Sequence, residues 1–516
     1  MALLPAAAAV VAGGMYLNAK YNIMSDLNNL RTGLLIKKHI ENFAKEHGDD
    51  DWSFYHTLHQ TYGTNEAEEA FVFEGRSWTY KELRAEIGRL ALELQRRGVG
   101  NRTVVGMFVN NSPEFMFSWF ALQKVGAIPA PVNTAIAGEA IRHCLRISEA
   151  QYFLVGHELY DTASKALYLD KPGHEGFASL NLPLLNNVFL YDYGTYPASS
   201  ASASHHNVVI LHHTSLPSSP NMDDYPRSSR PKLSPLDTQQ YLFTSGTTGL
   251  PKAAIWPLAY CHAGNAKGKH PDMWAMPPGK RRRWYICLPM FHGTASFAAL
   301  PGTFSNSGTV VLARRFSRST FWEDVRNTRC NAILYIGEML RYLVQAPVDP
   351  RFPDEKAMHD VDLALGLGLA PTIWSGFRER FGVAWICEFY SASEATVSLV
   401  NSNRNARGVG KVAHWGPVWR WLQDSFYIIK TDEDGEPIRD PTTGFCIKCK
   451  AGEVGESISR IAPPLQRRHD YVGENSEKAN STKTLRDVFA KGDEFSRLGD
   501  AMMIVRPPPP PSPHTH

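Results

Sequence analysis

From Trp78 onward the chain switches repeatedly between two hydrophobic periods, and this narrows the folds open to it. Tyr80 to Arg97 places its apolar residues at helical spacing and stops at Gly98. Val104 to Val109 is an apolar run of strand length. Ser112 can cap a following helix, with Pro113 at its first position and Glu114 in its first turn, and that helix runs to about Val125. Ala127 to Val132 and Tyr152 to Val155 read as strands, with a helix over Ala137 to Ser148 between them. The rhythm returns with strand candidates Trp284 to Leu288, Gly308 to Leu312, Ala332 to Tyr335 and Ala384 to Glu388. Helices over Ser319 to Thr328 and Pro371 to Phe381 lie among them. Strands alternating with helices predict an α/β fold of mainly parallel sheets flanked by helices. A smaller β-rich part is expected before the C-terminus. With 516 residues, 43% of them hydrophobic, the chain can bury more than one core.

Charge and cysteine usage remove several functions. The 54 basic and 51 acidic residues leave a net charge of +3, which gives no support to a nucleic-acid partner. Seven scattered cysteines suggest reduced thiols rather than a disulfide framework. Cys446 and Cys449 form a lone CxxC inside strand-like sequence, and the histidines near 205 to 213 lie in serine-rich loop sequence, so neither predicts a metal site. Residues 197 to 237 are rich in serine, proline and histidine apart from the run Val208 to Leu211, and read as a long exposed connection. The cluster Lys280 to Arg283 reads as a solvated face, with anionic lipid as the second reading. Residues 1–17 carry no charged side chain. As a helix they would reach about 26 Å, just short of a hydrocarbon core. Membrane contact through this segment is expected, at the surface or in the bilayer, and its length does not assure a full span.

One stretch carries chemistry by itself: "YLFTSGTTGLPKAAIW", residues 241–256. Apolar runs on either side make it a turn between two strands. Thr244, Ser245, Thr247 and Thr248 offer hydroxyls, Gly246 and Gly249 let backbone N–H groups converge, and Lys252 adds a cation. Converging donors with a mobile positive charge suit a polyphosphate.

Three further stretches add weight in order: "LPMFH" at 288–292, "EFYSASEA" at 388–395 and "LGD" at 498–500. Together with "TSGTTGLPK" they resemble the adenylate-forming, AMP-binding superfamily. "FSRSTFWEDV", "ILYIGEMLRYLVQAP", "GLGLAPTIWSGFRERFGV" and "GFCIKCKAGEVGE" narrow the resemblance to the fatty-acid transport protein and very-long-chain acyl-CoA synthetase family, over roughly residues 15 to 505. The resemblance implies an acid–thiol ligase. It would use ATP and Mg²⁺ to turn a fatty acid into acyl-AMP and pass the acyl group to coenzyme A, in a chain linked to fatty-acid uptake. Thr244 to Lys252 would grip the departing phosphates, with Thr247 and Lys252 acting in catalysis. Glu394 would hold Mg²⁺, a hard ion wanting oxygen ligands. Ser393 would contact the α-phosphate, Tyr390 would stack on adenine, and Asp500 would accept both ribose hydroxyls. His292 would stand near the reacting carboxylate. A membrane location at endoplasmic reticulum, peroxisome, lipid droplet or plasma membrane is implied without a choice among them.

This chain departs from the family pattern at Leu367 and Ala370, where Asn and Arg are usual, and at Ser391 and Ala395, where Gly is usual. The expected organisation is a hydrophobic segment at 1–17 and two parts of an adenylating domain at 18–196 and 238–505. The connection at 197–237 joins the two parts, and a proline-rich tail follows at 506–516. Past Asp500 the sequence reads AMMIVRPPPPPSPHTH. Against the resemblance, this end is expected to leave out the family's hinge and small C-terminal domain, and a chain so ended is expected to form acyl-adenylate slowly with negligible transfer to coenzyme A. The rival readings are a non-catalytic lipid-binding accessory and a ligase of another carboxylic acid.

Overall fold

A computed structural model describes residues 23–48, 52–55, 58, 66–169, 176–195, 207–217, 231–244, 250–268, 280–391, 399–404, 408–461, 470–473 and 476–505. Two parallel-rich sheets form its body. Five parallel strands make the N-terminal sheet, in the order Ile128–Pro131, Val104–Phe108, Tyr152–Gly156, Asn187–Asp192 and Val208–His212. The second sheet has eight strands, in the order Leu399–Asn403, Trp385–Tyr390, Leu363–Leu367, Ala332–Ile336, Arg283–Ile286, Thr309–Leu312, Glu69–Phe73 and Arg76–Thr79. Its two outermost pairings are antiparallel and the inner ones parallel.

The period of two explains how the N-terminal sheet packs. Val105, Met107, Leu154 and Phe189 face a large core shared with the eight-stranded sheet. Val104, Phe108, Phe153, Val155 and Val188 face a second core closed by Ile141, Leu145 and Ala163. Helix Pro113–Val125 belongs to the large core and is buried along its whole length. Its sequence prepares this, because a helix apolar all round has no solvent face to offer. Ser112 caps it through the Phe115 amide at 3.3 Å, and Gly126 ends it at φ 74° in the left-handed region.

Two smaller sheets complete the chain. Thr238–Thr244 and Lys252–Pro257 form an antiparallel hairpin, with Tyr471–Val472 added beside the second strand. The C-terminal sheet, with antiparallel pairings throughout, has the order Phe426–Ile429, Val454–Arg460, Glu494–Met503 and Thr484–Arg486.

Two expectations are corrected here. The connection at 197–237 is not exposed throughout: Val208–His212 pairs in parallel with Asn187–Asp192, and Leu211, Leu216 and Leu233 are buried. An isolated apolar run inside polar sequence was the edge strand the sheet needed. The cluster at 280–283 is not a solvated face either. Arg281 pairs with Glu68 at 2.7 Å, Arg282 with Asp362 and Arg283 with Glu69, and the Arg282 side chain is 5% exposed. Partners distant in sequence turned most of an apparent charge run into a partly buried row of ion pairs, with Lys280 left exposed. Cys446 and Cys449 are both buried and belong to separate small clusters. Among the described residues no group of His, Cys, Asp or Glu is disposed to hold a metal. No described helix is long and apolar enough to cross a membrane, and residues 1–17 lie outside the described part.

Candidate active site

Strand direction decides where a site can form. The inner strands of the large sheet run parallel, so the segments leaving their carboxyl ends gather along one edge, where ligands bind in open α/β sheets. "LPMFH" leaves Arg283–Ile286, Gly337 follows Ala332–Ile336, residues 368–370 follow Leu363–Leu367, and Ser391 follows Trp385–Tyr390. Strand Arg283–Ile286 lies between Thr309–Leu312 on one side and Ala332–Ile336 on the other. The chain thus reverses its direction of travel across the sheet at the strand that leads to His292, and such a switch point opens a crevice.

His292 precedes helix Gly293–Ala298, and its carbonyl accepts from the Ala295 amide at 3.0 Å. A Cβ on Gly293 would lie 3.0 Å from the Leu242 side chain, so glycine lets this helix close onto the hairpin strand that ends at Thr244. His292 is exposed to solvent, and the part of it that packs against the protein holds its pKa below the usual value, because burial disfavours the charged imidazolium. The imidazole therefore stays neutral near pH 7.

In the hairpin, Thr244 pairs directly with Lys252, which fixes both residues at the mouth of the loop. The Lys252 ammonium lies 5.2 Å from the centre of the Tyr471 ring, a cation–π contact that steadies the half-buried cation. Ser245, Gly246, Thr247, Thr248 and Gly249 lie outside the described residues, as do Ser393 and Glu394. Lys252 begins the second strand rather than closing the turn.

Tyr390 and Asp500 meet although 110 positions separate them: the Tyr390 hydroxyl donates to Asp500 Oδ2 at 2.6 Å. Asp500 owes its place to a kink. Opposite the pairs Glu456–Ala501 and Ile458–Arg497 the register shifts, and Gly499 at φ 78° takes the left-handed conformation there. Leu498 is buried in the small core while Asp500 turns outward, and the Ser457 hydroxyl holds the Asp500 carbonyl at 3.0 Å.

Sequence reasoning missed two anchors. Glu388 is buried at the foot of "EFY". It accepts from the Tyr335 hydroxyl at 2.5 Å and from the Leu369 amide at 2.9 Å, tying three neighbouring strand ends together. Burial raises its pKa above the usual carboxylate range. Gly337 packs against the same loop, since a Cβ there would fall 1.9 Å from the Gly368 carbonyl oxygen. The second anchor is Asn111. Its Nδ2 donates to the carbonyls of Leu288 and Ala313 at 2.9 and 3.0 Å, and its Oδ1 accepts from the Met290 amide at 2.8 Å. An amide, with donor and acceptor on one head, suits this set where an acid would not. The signal for Glu388 was a carboxyl inside an otherwise apolar strand. The sequence around Asn111 carried none.

Residues 58–448 match the family model described as AMP-binding enzyme. The chain is 29% identical over 505 residues to the very long-chain fatty acid transport protein of Cochliobolus heterostrophus, covering 96% of this chain and 71% of that protein. It is 33% identical over 442 residues to long-chain fatty acid transport protein 1 of Homo sapiens, covering 83% of this chain and 61% of that protein. The crystal structure of ATP-bound MatB from Rhodopseudomonas palustris superimposes with a TM-score of 0.63 at 17% identity, over 88% of this chain and 77% of that one, which shows a common fold.

Proposed function

The chain belongs to the AMP-binding enzyme family, and on that premise we propose that it activates a long- or very-long-chain fatty acid with ATP and transfers the acyl group to coenzyme A. The observation that carries this reading is that His292 and Tyr390, the latter bonded to Asp500, stand on segments at the carboxyl edge of the large sheet, with Gly293 packed against Leu242 of the hairpin strand that ends at Thr244. The names of the two transport-protein relatives supply the fatty acid, and the ATP-bound neighbour supports the nucleotide.

In this reading the carboxylate attacks the α-phosphate, and two anions must approach each other. Lys252 and the donors of 244–249 take up charge on the departing pyrophosphate, which lowers the barrier more than it lowers the ground state. Neutral His292 offers a polar edge beside the carboxylate without pairing with it as a cation would, so the nucleophile keeps its charge. Tyr390 gives adenine a flat face and Asp500 receives the ribose hydroxyls. Ser393 donates to the α-phosphate. Glu394 offers the hard oxygen donor that Mg²⁺ prefers, and the ion bound there would neutralise polyphosphate charge. Residues 1–17 are proposed to bring the chain to a membrane surface, where its substrate dissolves.

Oleate or a very-long-chain acid, ATP, Mg²⁺ and coenzyme A should yield pyrophosphate and acyl-CoA, measured separately. Glu394→Ala, or Lys252→Ala with Thr247→Ala, should lower acid-dependent pyrophosphate release by about 10² to 10³. Fatty acid bound tightly without any pyrophosphate release would overturn the reading in favour of a lipid-binding accessory.

A further inference from the structure

Helix Ile23–His47 and the short helix Pro417–Leu422, which is bonded to it, each expose apolar side chains. On the long helix, at about 100° per residue, Met24, Leu27, Leu34 and Leu35 fall within an arc of roughly 100°. All four are exposed, Leu34 to 68%. The opposite side of the helix carries Asp26 and Phe43, both buried. Arg31 and Lys38 lie within the apolar arc, and both are exposed. The short helix adds Leu422 and Trp421, which is 82% exposed.

The two helices are locked together. Asp26 accepts from the Gly416 and Val418 amides at 2.6 and 3.0 Å, capping the short helix, and the Ser25 hydroxyl donates to the His414 carbonyl at 2.6 Å. A buried carboxylate spent on this joint makes the surface one body rather than two loose elements.

We propose that this surface lies in the interface of an anionic phospholipid bilayer, with the long helix parallel to the membrane plane. Apolar residues on one arc, cations among them and an exposed tryptophan are the features of a helix that rests in a headgroup region without crossing it. The cations complement anionic headgroups. Residues 18–22, with one charge at Lys20, separate this helix from the uncharged first seventeen residues, so both are placed to face the same phase. The inference rests on the membrane reading given above and adds the second contact that would fix the orientation of the body.

The test uses the full chain and vesicles of phosphatidylcholine with or without phosphatidylserine. All seven native cysteines are buried, so an environment-sensitive fluorophore on Leu34→Cys or Trp421→Cys reports the introduced site. With phosphatidylserine vesicles each label should brighten several-fold and become shielded from aqueous iodide, and 0.5 M salt should weaken the shielding, at about a 4 Å Debye length. Leu34→Glu with Trp421→Glu should reduce pelleting with these vesicles several-fold while acyl-CoA formation in detergent is retained. Pelleting with both labels still open to iodide would overturn the surface and leave the membrane reading standing. No pelleting of the parent chain would overturn both. A dimer without lipid that the double variant dissolves would assign the surface to a second copy and overturn the bilayer.

Discussion

In the eight-stranded sheet the site segments are steadied by buried side chains, whereas in the C-terminal sheet Asp500 is set by a backbone kink. The first arrangement follows from parallel strands. Their carboxyl ends leave in one direction, so neighbouring loops emerge side by side and one polar group can hold two or three of them. Asn111 and Glu388 do this for the segments near residues 288–290, 313 and 369. An antiparallel sheet offers no such bundle of ends, and there Gly499 bends a single strand instead. Placement by side chains concentrates the energetic cost of a substitution at a few positions distant in sequence; placement by a kink confines it to one glycine.

The largest expected effect is at Asn111. Asn111→Ala removes the partner of one amide and two carbonyls in a buried place, so a loss of roughly 3 kcal/mol is expected in a denaturant melt. Asn111→Asp should be no better, since a carboxylate would face two carbonyl oxygens. If Asp were tolerated as well as Asn, the geometry of donor and acceptor would not be the reason for this residue.

Glu388 comes next. Glu388→Ala leaves the Tyr335 hydroxyl and the Leu369 amide without this acceptor, for an expected loss of about 2 kcal/mol and weaker nucleotide binding through the loosened 368–370 loop. Because burial raises its pKa in the fold, stability from this group is fully present below its unfolded value and declines as pH rises through the raised folded one. Glu388→Gln should remove that slope while keeping most of the loop in place. An unchanged pH dependence in the Gln variant would show that Glu388 titrates as in an unfolded chain.

The kink predicts a smaller cost. Gly499→Ala meets no atom closer than the Lys483 ammonium at 3.6 Å, so the penalty is backbone strain alone, about 1 kcal/mol. ATP affinity should fall more than stability does, because Asp500 would lose its outward direction. Equal affinity in the variant would separate Asp500 from the nucleotide.

The same contrast explains what the sequence reveals. Local rules placed helix Pro371–Phe381 to the residue and helix Pro113–Val125 with its cap, because those signals lie within a few positions of the element they set. The motifs at 244–252, 288–292, 388–395 and 498–500 were legible as chemistry for the same reason. Asn111, Tyr335 and the ion pairs of Arg281 to Arg283 were not, since each depends on a partner brought near only by the strand order. Val208–His212 was misread because an edge strand with one neighbour needs few apolar residues and looks like a loop.

The smallest effect tests whether the two regions act as one site. Tyr390 ends a strand of the large sheet and its hydroxyl holds Asp500 of the other sheet at 2.6 Å. Tyr390→Phe keeps the ring for stacking and removes this bond. The pair is solvent-accessible, so the loss of stability should stay within about 0.5 to 1 kcal/mol. If the hydroxyl orients the carboxylate for the ribose, ATP should bind roughly two- to fivefold more weakly by calorimetry, the same energy expressed as a dissociation constant. Asp500→Asn should weaken binding further, because it also removes the charge, and adding Tyr390→Phe to it should then change little. Additive losses in the double variant would mean that the two sheets contribute independently and that the hydrogen bond between them does not serve the nucleotide.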